Sequence, residues 1–194
     1  MDISTDIVKD LRDRTGVSVM QCRQALLEAE GDVAKAEVIL RKRSGAAADK
    51  KSGRTLGAGA VGTYVHEGAI GAMVLLSSET DFVSKNPEFG ALARELAMQV
   101  AATNPTYLSD ADIPEDAKRA ASAVFLAEVE GTPAALKEKI LAGKLSAYFR
   151  DQVLLNQLYI KDEGRTIHDL ITEATQKFGE RIELSRFARF SSRG

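Results

Sequence analysis

Two histidines, His66 and His168, and one cysteine, Cys22, are the chain's whole stock of imidazole and thiol for nucleophilic or metal chemistry. The histidines are not spaced as a ligand pair, and a single cysteine can form neither a CxxC pair nor an intramolecular disulfide. GxxxxGK[ST], GxGxxG and HExxH are all absent, so the sequence encodes no phosphate-cradling loop and no zinc helix. His66, Glu79 and Asp81 could gather round a cation, although such residues more often serve as polar groups at turns and strand ends. Cys22 lies on an apolar helical stripe and reads as a small core residue. The expectation is a protein with no catalytic residue, metal or cofactor, and therefore not an enzyme.

Contact chemistry is what remains. Two stretches stand out, LRDRTGVSVMQCRQAL at 11–26 and SSETDFVSKN at 77–86. In the second, Phe82 sets a large apolar ring beside the charge of Asp81 where the chain leaves a strand. Most aromatics pack in cores, so on pattern alone core burial is the commoner fate of Phe82. Met20, in the first stretch, is a flexible side chain suited to an adaptable contact, and burial in a small core competes evenly. With 26 basic and 28 acidic side chains, formal net charge −2, gripping phosphate backbones is not the expected main work. A rival RNA-binding reading rests on Arg186, Phe187, Arg189, Phe190 and Arg193, which interleave cations with rings. A strand with basic outward residues looks the same, so nucleic acid is not an expected partner.

The elements that must position these residues fall into two parts. Residues 3–43 read as three short helices. Ser4 or Thr5 caps the first, Thr15-Gly16 breaks it, and Cys22, Ala25, Leu26 and Ala29 share a face of the second. Asp32 caps the third, in which Val33, Ala36 and Leu40 share a face. The stretch 44–59, rich in charge, Gly, Ala and Ser, reads as a linker with helical character around Ala46 to Lys51. From residue 60, alternation in Val61, Thr63 and Val65, a turn at His66-Glu67-Gly68, then Ile70, Ala72, Val74 and Leu76 predict a β-hairpin. Asn86-Pro87 starts a helix with Phe89, Leu92, Ala93, Leu96 and Val100 as its buried stripe. Residues 114–151 read as a helical hairpin split at Gly131-Thr132-Pro133, with Phe125, Val129, Leu136 and Ile140 between its arms. Thr166 caps a last helix that Gly179 stops, and ERIELSRFARF reads as a third strand. The expected fold class is α+β: a three-helix bundle at 1–43, a linker at 44–59, and a core at 60–194. That core is a three-stranded antiparallel sheet packed with helices and a helical hairpin. No apolar run approaches the ~20 residues of a membrane span. The opening Met-Asp-Ile-Ser-Thr-Asp lacks signal or transit character, and one cysteine suits reducing surroundings. These point to a cytoplasmic protein.

Both stretches resemble signatures of the elongation factor Ts family. The first carries Leu-Arg-x-x-Thr-Gly and then a Cys-basic-x-Ala-Leu ending; the second carries Thr-Asp-Phe-Val directly after an apolar strand. The similarity extends to the Tyr-Val-His turn and the closing ERIELSRFARF, and is closest to the short form with a single core unit. Val-Ser-Val-Met at 17–20 stands where Ala-Gly-Met-Met is common, so Val19 offers a shorter, stiffer side chain. Gln21 stands where an acidic residue is common, and Arg23 where lysine is usual. The resemblance implies a guanine-nucleotide exchange factor for elongation factor Tu that disturbs the partner's Mg²⁺ site. It implies that Thr80, Asp81, Phe82 and Val83 do the dislocating, and that Arg12, Val19, Met20, Arg23 and His66 contact the partner. It also implies a homodimer through the core sheet. A rival is a ubiquitin-associated-type adaptor, because the N-terminal bundle is similar to such domains.

Overall fold

A computed structural model describes residues 3–129 and 133–192. The order is α1 (Thr5–Thr15), α2 (Val19–Glu28), α3 (Val33–Asp49), β1 (Ala58–His66), β2 (Ile70–Ser78), α4 (Asp81–Ser84), α5 (Pro87–Thr103), α6 (Glu115–Glu128), α7 (Ala134–Arg150), β3 (Leu158–Tyr159), β4 (Asp162–Thr166), α8 (Ile167–Phe178) and β5 (Glu183–Ser191). The fold is α+β as expected, with an antiparallel three-stranded sheet in the order β1-β2-β5. A second sheet, β3-β4, has two strands.

Each turn of the bundle follows from its sequence. Ser4 accepts from the Ile7 amide and Asp32 accepts from the Lys35 amide at 3.0 Å, so two orphan helix-start donors are satisfied. Gly16, at φ 67°, ends α1 with its N–H on the Arg12 carbonyl at 2.7 Å. The three helices bury Val8, Leu11, Val17, Cys22, Ala25, Leu26, Ala29, Ala36 and Leu40 together. Small side chains on α2 and α3 let the helices approach closely. Burying each leucine is worth about 1.5–3 kcal/mol, so Leu26→Ala would remove a large share of so small a core. Helix α3 does not stop at residue 43. It runs to Asp49 with Ser44 fully buried, its hydroxyl bonded to the Arg41 carbonyl at 2.6 Å. The first residues of the expected linker are thus helical.

The hairpin turn forms where the alternation breaks. Glu67 and Gly68 both have positive φ, 48° and 68°, and the Ala69 amide bonds the His66 carbonyl at 2.9 Å. Two consecutive left-handed residues make the turn that matches strand twist. Ala72, Val74 and Leu76 are buried, while Val61, Thr63 and Val65 of β1 are exposed.

Packing divides the chain into two compact units. One comprises Met1–Val61, Leu75–Ala93 and His168–Ser185; the other comprises Gly62–Val74, Arg94–Ile167 and Arg186–Gly194. The second unit holds the helical hairpin of α6 and α7. Ile113, Ala121, Phe149 and Val153 form its core, with Tyr107, Ala117, Phe125 and Leu145 against it. Val129 is buried as expected, but Leu136 and Ile140 are exposed. Helix α7 has a second apolar face, and the larger ring of Phe149 makes burial of that face the better choice. Gly131 and Thr132 lie outside the described residues.

Buried Gln99 ties β3 and the turn after it to α5. Its Nε2 donates to Gln157 Oε1 at 3.0 Å and to the Leu158 carbonyl at 3.1 Å, and its Oε1 accepts from the Ile160 amide at 3.0 Å. Gln157 passes the network on to Thr103 and the Asp151 carbonyl. Tyr159 donates to Glu95 at 2.7 Å, and burial together with that carboxylate pushes its phenol well up.

Candidate functional site

Strand β2 ends at Ser78, and the chain then turns sharply into the four-residue helix α4. Phe82 is on that helix and is 84% exposed, the most open large apolar side chain among the described residues. Its neighbour Val83 is buried and pegs the turn to the body of the protein. The motif after β2 is thus a helical turn with one apolar side chain in and one out.

Several polar contacts hold this turn. Thr80 is extended (φ −127°, ψ 160°) and sits at the start of α4 without capping it. Its hydroxyl and amide go instead to Glu180, at 2.6 and 3.0 Å. The Ser78 hydroxyl donates to the Thr80 carbonyl at 2.9 Å. Glu79 accepts from the Arg181 amide and from Arg54 Nη1 at 3.1 Å, and the backbone bond above all holds its carboxyl below the usual range. Asp81 faces solvent and pairs with Lys85 at 2.6 Å, whose bond and charge lower its pKa.

The bundle presents the second set. Ser18 caps α2 by accepting from the Gln21 amide at 3.4 Å, which makes Val19 and Met20 the first residues of the helix. They are 50% and 72% exposed, whereas Cys22, two residues on, is fully buried. Burial also raises the Cys22 thiol pKa. Arg12 in the last turn of α1 and Arg23 on α2 are exposed. Exposure resolves the alternatives left open by pattern: neither Phe82 nor Met20 belongs to a core. Arg12, Val19, Met20, Arg23 and Thr80 to Val83 fall in the same compact unit; His66 falls in the other. His66 is an exposed turn residue, its Nδ1 3.1 Å from the Tyr64 hydroxyl.

Sequence reasoning missed Glu180 and Arg181, which support the turn from far along the chain, and Lys177, which reaches Glu88 of α5 at 3.1 Å. Glu180 and Arg181 read there as the start of a strand that begins only at Glu183. Among the described residues, no three His, Cys, Asp or Glu side chains gather as a metal site would require, and no helix is long and apolar enough to cross a membrane.

The fold is thus that of an α+β protein with exposed apolar side chains, Phe82, Val19 and Met20, at the starts of two helices, each with a buried neighbour on the same helix. Known sequences give the family. The family model described as elongation factor TS matches residues 50–194. Over 191 residues the chain is 44% identical to elongation factor Ts of Caldanaerobacter subterraneus subsp. tengcongensis, spanning 97% of this chain and 96% of the relative. It is 42% identical over 191 residues to elongation factor Ts of Thermotoga neapolitana and of Thermodesulfovibrio yellowstonii, spanning 98% of this chain and 97% and 96% of those relatives. The chain belongs to the elongation factor Ts family.

Proposed function

We propose that this protein is a guanine-nucleotide exchange factor of translation elongation, acting in the cytoplasm on elongation factor Tu. It performs no chemistry and holds no nucleotide, metal or cofactor of its own. Its work is differential binding: a factor that grips the empty partner more tightly than the GDP-loaded one shifts the partner toward release. By reciprocity, nucleotide weakens the factor's own grip to the same degree.

The observation that carries this reading is the exposure of Phe82 on a turn fixed from behind. A ring so placed is an anchor for an apolar pocket, and its rigidity limits the entropy lost on docking. In this mechanism Phe82 wedges between helices of elongation factor Tu near its Mg²⁺ site. Asp81 contributes a negative charge beside that cation. Its Lys85 pair is solvent-exposed on both sides, a kind of pair worth little, so the carboxylate is readily redirected. Thr80 and Val83 hold the turn.

The division of labour assigns residues 1–43 to docking, through Arg12, Val19, Met20 and Arg23 on the partner's nucleotide domain. Residues 44–59 connect, and residues 60–194 carry exchange and dimerisation. His66 supplies a further contact from the hairpin turn. Exposed apolar side chains on every strand of the three-stranded sheet, Val65, Met73 and Phe190 among them, support a homodimer through that sheet. Sedimentation at micromolar concentration is expected to give twice the 20.9 kDa chain mass.

The test of the main reading is the rate of GDP release from elongation factor Tu with and without this protein. Catalytic amounts are expected to accelerate release; an unchanged rate at equimolar protein rejects the function.

A further inference from the structure

We infer that the end of α8 and the turn after it, residues 173–181, form a positioning clamp. The clamp holds the first turn of α2 and the Phe82 turn in one frame, with Lys177 and Glu180 as its positioning residues. The inference rests on the exchange reading for its purpose, but its geometry stands by itself. All the groups involved lie within one compact unit.

On one side the clamp grips the bundle. Gln176 Nε2 reaches Gln21 Oε1 at 3.4 Å, and Glu173 pairs with Arg41 of α3 at 3.7 Å. The closest contact is apolar. The stem of Lys177 lies across Gly16, where an added Cβ would sit 2.8 Å from both Lys177 Cδ and Cε. Thr15-Gly16 therefore does more than stop α1: the missing side chain is the seat for the lysine stem, and φ 67° exposes the backbone to it.

On the other side the same stretch grips the Phe82 turn and the helix that follows it. Lys177 Nζ continues past Gly16 to Glu88, in the first turn of α5, at 3.1 Å. Phe178 meets Phe89 edge-on, with ring centroids 5.8 Å apart. Glu180 takes both Thr80 donors, and the Arg181 amide goes to Glu79. Exposed ion pairs taken singly are weak. A stem packed on backbone, with bonds at each end, is a different matter, because it fixes the separation of two anchors. Anchors held at a set spacing bind as one unit, through a raised effective concentration.

The test uses the full-length chain. Spin labels are placed at Gln24→Cys and Gly90→Cys, both exposed, and a Cβ at Gly90 meets nothing within 4 Å. Buried Cys22 stays unlabelled. A narrow label-to-label distance distribution is expected, broadening in Lys177→Ala and recovering in Lys177→Met, which retains most of the stem. Glu180→Ala should lose protection of the Thr80 amide against hydrogen exchange, and Glu180→Gln, which retains an acceptor, should regain part of it. In GDP release, Lys177→Ala should raise the half-saturating concentration about tenfold with the saturated rate unchanged and the melting temperature still well above that of the assay, so that a smaller folded fraction does not account for the rise. Unchanged distance distributions in Lys177→Ala overturn the clamp, and so does a broadened distribution with unaltered exchange kinetics. A wild-type protein that fails to accelerate release rejects the exchange function instead, while the label distances still decide whether the clamp exists.

Discussion

Replacing Phe82 by alanine separates an anchor from a core residue. The ring is 84% exposed, so its loss should change stability by no more than about 0.5 kcal/mol, or roughly 2 °C in melting temperature. Binding is another matter. Docking that buries roughly 150 Å² of ring surface at about 25 cal/mol per Å² gains close to 4 kcal/mol. Ordering costs and the methyl group kept by alanine leave about 2–3 kcal/mol to lose, a fall of roughly 30–150-fold in the second-order exchange rate. Val83 is the internal control. It is buried, and Val83→Ala should cost about 2 kcal/mol of stability, lowering the melting temperature by about 4–8 °C. Melting and GDP release are measured on the same preparations. If Phe82→Ala melts like Val83→Ala and its folded fraction exchanges normally, the wedge reasoning is refuted.

Other outcomes follow from the same geometry. Met20→Ala should leave melting unchanged and raise the half-saturating concentration in GDP release, since its side chain is 72% exposed. Gln99→Leu should strand the Ile160 amide and break the link to Gln157, costing about 2–4 kcal/mol and read as a lower denaturant midpoint. The pKa values of Asp32, Glu79, Glu95 and Asp112 are all held down in the folded protein. For Asp32 and Glu79 the leading cause is a bond from a backbone amide, and for Asp112 it is the Ser109 hydroxyl. For Glu95, burial opposes ionisation and is outweighed by the bonds from Lys161 and Tyr159. Depressed carboxyls stabilise above their unfolded values, so melting temperature should be flat from pH 7 to 5 and fall below about pH 4. A protein that gains stability on acidification through that window contradicts the assignment.

Much of this was legible in the sequence because local chemistry decided it. Ser4, Asp32 and Gly16 mark helix ends by capping and handedness, which do not depend on distant residues. The His66-Glu67-Gly68 turn was equally local. Leu136 and Ile140 went astray because periodicity names a face without saying which of two faces finds a partner. Strand β4, Asp-Glu-Gly-Arg-Thr, carries no apolar alternation, and it exists through its pairing with β3, which the buried amide of Gln99 holds at Leu158. The candidate site was visible as a motif and invisible as a geometry. Nothing near residue 80 announces that Glu180 takes both donors of Thr80, or that a lysine stem rests on Gly16. Contacts between residues a hundred or more positions apart belong to the folded chain alone.

Differential affinity is the central claim, and it can be weighed directly. Calorimetric titration of this protein into nucleotide-free and into GDP·Mg²⁺-loaded elongation factor Tu gives the two binding constants without any exchange kinetics. The account predicts binding to the empty partner at least about tenfold tighter, the lower part of the range typical of allosteric coupling, with the gap shrinking in Phe82→Ala. Equal affinity for the two forms would contradict it, because a ligand that binds both states alike shifts neither.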